Sequence, residues 1–155
     1  MSLSGTSPGA ISQATISSTL YLLIAMNSSS LVNLVDTSGF TLTSSPTIAS
    51  PARQIIVNPL TPSVAYLIEP SANAVQSIDF TSSTTAPVVS SEVSTGSNPL
   101  GGGCKADGTQ LFILNNAGGS VSAYTLSGTN QRTITAATGS PITGLGTPQA
   151  ISVCP

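Results

Sequence analysis

The sequence predicts an all-β fold built from repeated four-stranded antiparallel units, and three observations carry that prediction. The same four features return in the same order along the chain, headed by Pro8, Pro51, Pro99 and Pro148 at spacings of 43, 48 and 49 residues, which is the signature of a repeat architecture. The apolar stretches within each unit are short and are separated by Gly, Pro, Asn and Ser clusters. Runs of that length suit strands, since helices need about 10–12 residues or more. β-Branched residues dominate these runs, and Ala, Leu, Glu and Lys never gather at a helical spacing.

Each element follows from local signals. The head of each unit reads PGAISQAT from Pro8, PARQIIVNP from Pro51, PLGGGCKADG from Pro99 and PQAISVCP from Pro148. A proline there suits the first residue of a strand, where no ladder donor is needed. The first and last heads share P-x-A-I-S in one register, Pro8/Ala10/Ile11/Ser12 against Pro148/Ala150/Ile151/Ser152. An aromatic-apolar run comes second: Tyr21-Leu22-Leu23-Ile24, Tyr66-Leu67-Ile68-Glu69 and Phe112-Ile113-Leu114-Asn115. The third run begins at Val32, Val75 and Val121, and a looser fourth contains Ile48, Val93 or Ile142. Asp107-Gly108 signals a two-residue hairpin, and Asn116-Ala117-Gly118-Gly119 a longer turn.

Four antiparallel strands per repeat of roughly 45 residues make the blade of a β-propeller. The boundaries fall at 8–50, 51–98 and 99–147 for three blade-like repeats. Residues 148–155 form the first strand of a further one, and residues 1–7 a leader or cloning scar. Three blades cannot close a ring and leave strand edges open at both ends. The expectation is therefore a partial or oligomer-completed β-propeller: either a homo-oligomer or a piece of a longer propeller chain. A β-sandwich or a solenoid stack is the alternative arrangement.

The stretch from Gly108 to Leu126, GTQLFILNNAGGSVSAYTL, resembles the "G-x-x-L-Y-V-x-N … G-x-V-S-x-Y-x-L" unit of the lactonase-like, YVTN-type β-propeller repeats. Phe112-Ile113-Leu114-Asn115 lies at the name-giving tetrapeptide. The lead-in from Gly139-Ser140-Pro141 to Thr147-Pro148 is similar to the "G-S-P … G-x-x-P" link of that family. The resemblance covers essentially residues 8–155, closely in the third unit and loosely in the first, and its motifs specify blade geometry rather than chemistry. Ile24 and Glu69 replace the Asn in the other two copies. The resemblance implies rings of about seven blades and, in some members, lactone hydrolysis.

Composition narrows the function. The chain has 155 residues, three Lys+Arg, five Asp+Glu, no His and 5% charged residues. Three cations cannot build a phosphate-tracking patch, so no nucleic-acid partner is expected. The longest apolar run, Leu20 to Met26, is far short of the 18 or more residues of a membrane span. Without His, the commonest general base and metal ligand are both missing. No cofactor and no metal site are expected, and Asp36 and Asp79 read as caps of strand ends or turns. Cys104 and Cys154 are either two small core residues or a disulfide, which would need an oxidising compartment. Weak charge with abundant Ser, Thr, Asn and Gly points to an extracellular or cell-surface location, although no signal peptide is visible.

Candidate binding residues on or beside the first strands are Arg53, Asn58 and Lys105, with Glu69 ending a second strand. Arg53 and Lys105 read either as an anion site or as solvated charges at a channel mouth. The aromatics Tyr21, Tyr66 and Phe112 and the valines Val32, Val75 and Val121 read as blade-to-blade core. The leading expectation for function is a non-catalytic module for binding or self-assembly through exposed strand edges. The alternatives are a lactonase-type hydrolase of sugar lactones, implied by the resemblance and active only in a closed ring or longer chain, and a structural subunit of a filament or particle.

Overall fold

The computed structural model describes residues 2–153. Among the described residues thirteen strands form three antiparallel sheets, each a contiguous stretch of chain. The first holds β1 (Pro8–Ile16), β2 (Thr19–Met26), β3 (Val32–Asp36) and β4 (Thr41–Ser44) in that order. The second holds β5 (Gln54–Val57), β6 (Val64–Glu69), β7 (Ala74–Asp79), β8 (Val88–Val89) and β9 (Val93–Ser94); β8 and β9 both pair with β7. The third holds β10 (Pro99–Cys104), β11 (Gln110–Asn115), β12 (Ser120–Ser127) and β13 (Thr133–Ala136). The fold is thus all-β, a run of three meander blades forming part of a β-propeller. The first strands of neighbouring blades touch, β1 beside β5 and β5 beside β10, which sets them round the inside of the arc.

The repeat read from sequence is also a repeat of register. Ala14, Tyr21 and Asp36 lie across one row of the first blade, Ile56, Tyr66 and Ser77 across the second, and Gly103, Phe112 and Ala123 across the third. The outermost strand is the weak one. In the second blade it breaks into β8 and β9, between which the Ser90 hydroxyl accepts from the Ser77 backbone N–H at 2.9 Å and the Ser90 carbonyl accepts from Gln76 Nε2. In the other blades its second half shrinks to single bridges, Leu31 with Thr47 and Val121 with Ile142.

Two hydrophobic cores lie between blades. One joins Ala14, Leu23, Ala25 and Leu34 of the first blade to Ile55, Leu67, Ile78 and Phe80 of the second. The other joins Ile56, Tyr66, Ile68 and Val75 of the second to Leu111, Ile113, Tyr124 and Leu126 of the third. Burying each Leu, Ile or Val side chain stabilises the fold by about 1.5–3 kcal/mol, so blade stacking is what holds the arc together. The middle blade is covered on both faces: every residue of β6 and β7 is buried. In the third blade burial alternates along β12. In β12 Ser120, Ser122, Tyr124 and Leu126 are buried, while the residues between them are half-buried or exposed. The blade positions are the same, and only the presence of a neighbour differs.

Two local features differ from expectation. Asp107 and Gly108 do not form a two-residue hairpin, because β10 ends at Cys104 and β11 starts at Gln110. The loop turns instead through a Gly108 N–H to Lys105 carbonyl bond of 2.8 Å, with Gly108 at φ +69°. The Asp107 carboxylate is taken up by the N–H and hydroxyl of Thr109, so it shapes the loop rather than the strand pairing. Residues 148–153, placed by the sequence at the start of a further unit, pair with no strand. They lie against β10 and the start of the third blade's outward face, with Val153 at Gly103 and the Pro148 carbonyl accepting from Asn116 Nδ2 at 3.0 Å. A first strand takes its ladder from the second strand of its own blade, and that strand is not among the described residues.

Candidate functional site

Arg53 and Lys105 do not meet. Arg53 is exposed and lines an open cleft of about 310 Å³ on the inside of the arc, together with Gln54, Gly101, Gly102, Leu114 and Gln149. Gln54 is held in that wall by a two-way contact with the third blade: its Oε1 accepts from Gly102 N–H at 2.8 Å and its Nε2 faces the Gly102 carbonyl at 3.4 Å. Lys105 is outside the cleft and sits 2.6 Å from Asp107, with both side chains about half exposed. The Asp107 carboxyl is held down at about pH 2 by hydrogen bonds from Lys105 and Thr109. The cleft therefore offers one cation and amide groups, a surface for weak polar contacts.

Asn58 is fully engaged inside the protein. Its Nδ2 donates to Tyr66 Oη at 2.7 Å and to the Gly108 carbonyl at 3.0 Å, and its Oδ1 accepts from the N–H groups of Leu60 and Thr61. It closes the turn after β5 and ties it to the β10–β11 loop. The same i to i+2 pattern, in which a short polar side chain satisfies the backbone of its own turn, recurs at Asp36 with Ser38, Asp79 with Thr81 and Asp107 with Thr109. Asp79 also reaches Asn130 Nδ2 at 3.0 Å and Arg132 at 3.7 Å, linking the second blade to the third.

Glu69 is the anomaly. It is 0% exposed, and neither carboxylate oxygen meets a hydrogen-bond partner. Burial, and then the neighbouring Glu92 carboxyl, push its pKa up to about 8. The equivalent Asn115 of the third blade donates to the hydroxyls of Ser120 and Ser122 across the pair. Glu69 faces Ala74 instead, which has nothing to offer. A carboxyl in such a place stays protonated at neutral pH, because an uncompensated buried charge costs far more than a buried acid.

Cys104 is half-buried, and burial followed by the Asp107 charge raises its thiol to about 11. It is a weakly nucleophilic thiol at neutral pH. Cys154 lies outside the described residues, as does any bridge it would form. Among the described residues no three His, Cys, Asp or Glu side chains converge, and no helix is long and apolar enough to cross a membrane.

Further ties between blades run from side-chain hydroxyls to backbone carbonyls, a role the sequence did not assign to Tyr66, Tyr124 or Ser77. Tyr66 Oη donates to the Gln131 carbonyl at 2.8 Å, Tyr124 Oη to the Ser94 carbonyl at 2.7 Å and Ser77 Oγ to the Arg132 carbonyl at 2.7 Å. A tyrosine at a core position was the one readable signal, since a buried hydroxyl needs a partner. Phe112 sits at the Tyr66 position on the open side of the third blade, half-buried and facing no blade.

Each of the two outward faces carries exposed apolar side chains. On the first blade, Ile11 (64% exposed) and Leu20 (43%) stand beside half-buried Leu22 and Ile24, over an open cleft of about 340 Å³ lined by Leu3, Pro8, Ala10, Ile11 and Ile24. On the third blade, Phe112, Leu114 and Val121 share the outward face, flanked by Ile142 (54% exposed) and Leu145 (44%). Exposed apolar surface of this kind marks an interaction site more often than a lone exposed side chain does.

No protein-family model matches the sequence, and no curated protein matches it at a significant level. Solved structures do. A functionally unknown protein from Desulfotomaculum acetoxidans superposes with a TM-score of 0.76 at 15% identity over 95% of this chain and 45% of its own. The hydrazine synthase of Kuenenia stuttgartiensis gives 0.64 at 16% identity over 94% of this chain and 42% of its own. A "putative 6-phosphogluconolactonase" from Bacteroides uniformis gives 0.65 at 14% identity over 83% of this chain and 39% of its own. At these identities the likeness is one of fold. The chain spans less than half the length of each of these proteins.

Proposed function

We propose that the protein is a non-catalytic β-propeller segment that binds and self-assembles through its open ends, acting outside the cell or at its surface. The observation that carries this is the contrast between blades. The middle blade buries both faces, whereas among the described residues the first and third each have one face with no blade beside it, bearing exposed Ile11 and Leu20 on the first and half-buried Phe112 on the third. Low charge supports it, since the charged side chains that usually keep strand edges and sheet faces apart are scarce here. The candidate residues are Arg53 in the inner cleft, turn-bound Asn58 and buried Glu69, none of which is an activated nucleophile or a general base poised over a bound substrate.

Light scattering across a concentration series tests this reading: the expected result is a species larger than the 15.4 kDa chain, and a monodisperse monomer at all concentrations overturns it. The second reading, a lactonase-type hydrolase, is favoured by the fold shared with proteins named as 6-phosphogluconolactonases, which is a weak warrant because one fold hosts many activities. Hydrolysis of a sugar lactone that falls in Arg53→Ala or Glu69→Ala would support it; a panel of lactones left intact would end it.

A further inference from the structure

We infer that Glu69 and Glu92, together with the Ser50 hydroxyl, form a calcium-binding site in the second blade, where the linker from the first blade crosses it.

Three segments meet there. Glu69 ends β6 on the face turned to the first blade, a face it shares with Leu67 and, across the strand pair, with Ala74 and Gln76. Glu92 comes from the break between β8 and β9, and its carboxyl stands against that of Glu69. Ser50 comes from the linker; its hydroxyl donates to Glu92 Oε1 at 3.2 Å and its backbone lies beside the Glu69 carboxyl. Buried Gln76 fixes both incoming segments. Its Oε1 accepts from Ala49 N–H at 3.1 Å, and its Nε2 donates to the Ser90 carbonyl at 2.6 Å. The residues next to Ser50 and Glu92 are thus anchored to the strand that pairs with Glu69.

Two observations point to a cation. Glu69 is 0% exposed and both of its carboxyl oxygens lack a donor, and a buried acceptor left open calls for a ligand or an ion. The charges are also unbalanced. Among the described residues the ion pairs are Lys105 with Asp107 and Arg132 with Asp79, so no cation stands against either glutamate. Two facing carboxyls need a proton or a metal between them. The third blade shows the closed alternative. Asn115, Ser120 and Ser122 hold the positions of Glu69, Ala74 and Gln76, and there the asparagine donates to both serines. All three positions differ together in the second blade, and the difference leaves an acidic group open.

The donors select the ion. Carboxylate and hydroxyl oxygens suit calcium, magnesium or manganese rather than softer metals. Calcium accepts carboxylates in irregular geometry with one or both oxygens, whereas magnesium demands a strict octahedron and gives up its water reluctantly, which a site closed to solvent would require. Exposed Glu92, on its loop, is the way in. Of the groups facing Glu69 (Ser50 from the linker, Ala74 and Gln76 from β7, Glu92 from the strand break), Glu92 alone titrates. Calcium therefore displaces the proton Glu69 holds at neutral pH, the two carboxylates balance its charge, and binding weakens in acid.

The test is thermal unfolding and calorimetric titration with calcium chloride at pH 7.5, against potassium chloride at equal ionic strength. A dissociation constant of about 0.1–1 mM is expected for so few protein ligands. At a tenfold excess over it the melting temperature should rise by about 2–4 °C, and less with magnesium chloride. About one proton should leave per ion, read from the heats in two buffers of different ionisation enthalpy. Glu69→Gln keeps the shape of the side chain, so the variant folds, checked by circular dichroism, and should lose the response. Glu92→Gln should weaken binding at least about tenfold. Asp36→Asn, at an acid held in a turn by Ser38, should bind as the parent does. A parent chain indifferent to calcium up to about 10 mM overturns the site. So does a response that survives Glu69→Gln, one that Asp36→Asn removes, or one that magnesium matches.

Discussion

Replacing Glu69 by Gln should make the protein more stable above neutral pH while leaving it unchanged in acid. The folded protein holds the Glu69 proton up to about pH 8, through burial and the adjacent Glu92 carboxyl, against an ordinary value of 4.5. A raised native pKa means that the native state binds a proton the unfolded chain releases. The associated stability is fully present below about pH 4.5 and is lost as pH rises through about 8. The full linkage over that interval is on the order of 5 kcal/mol at 1.36 kcal/mol per pH unit. Water reaching the pair from the side of exposed Glu92 reduces it to roughly 2–4 kcal/mol. Glutamine is isosteric and does not titrate, so E69Q should lack this slope. Urea unfolding of both proteins at pH 4, 6, 8 and 9.5 reads the effect, with the m-value as a control on the unfolded state. Coincident stabilities at pH 4 and a gap of about 2 kcal/mol or more at pH 9.5, with E69Q above the parent, are expected. Parallel curves across the whole range would refute the picture of a buried neutral acid.

Three further substitutions probe how the blades are held. Asn58→Ala removes four hydrogen bonds from a site with no exposure; a loss of about 2–4 kcal/mol in chemical denaturation is expected, because the turn N–H groups and Tyr66 Oη are left without their partner. Tyr66→Phe deletes the hydroxyl shared by Asn58 and the Gln131 carbonyl of the next blade and should cost about 1–2 kcal/mol by the same measurement; a neutral result would mean that this hydroxyl adds nothing to the joint between the second and third blades. Gly108→Ala forces an L-residue to φ +69° and drives its Cβ into Asn58 Oδ1 and Leu60, so a fall in melting temperature of several degrees is expected, larger than for alanine at open Gly39.

The blade architecture was legible because it is written locally. Strand length and the recurring Tyr-Leu-Ile and Val runs follow from period-two pleating within a single blade, and no distant contact is needed to produce them; the proline heads open β1 and β10, whereas Pro51 stands ahead of β5 and Pro148 opens no strand. The pairing rows of Tyr21, Tyr66 and Phe112 are that same pattern seen in space. The role of Asp36 and Asp79 in turns was legible for the same reason, since an Asx turn spans only two residues. Glu69 could be singled out as a departure from Asn. Its lack of partners could not, because that depends on Ala74 standing across the strand pair where the third blade has Ser120.

What the sequence determined by itself is the unit: an all-β blade, its four strands, their order and their apolar rows. What only the tertiary structure decided is which of three equivalent units is covered. Tyr66 is fully buried and Phe112 only partly, although both hold the same place in the repeat. The difference lies in whether another blade stands beside them. Arg53 and Lys105 were paired from sequence only as cations of adjacent blades; the arc sends one to the inner cleft and leaves the other on the Asp107 loop. Periodicity fixes what each blade is, while burial is a property of the stack.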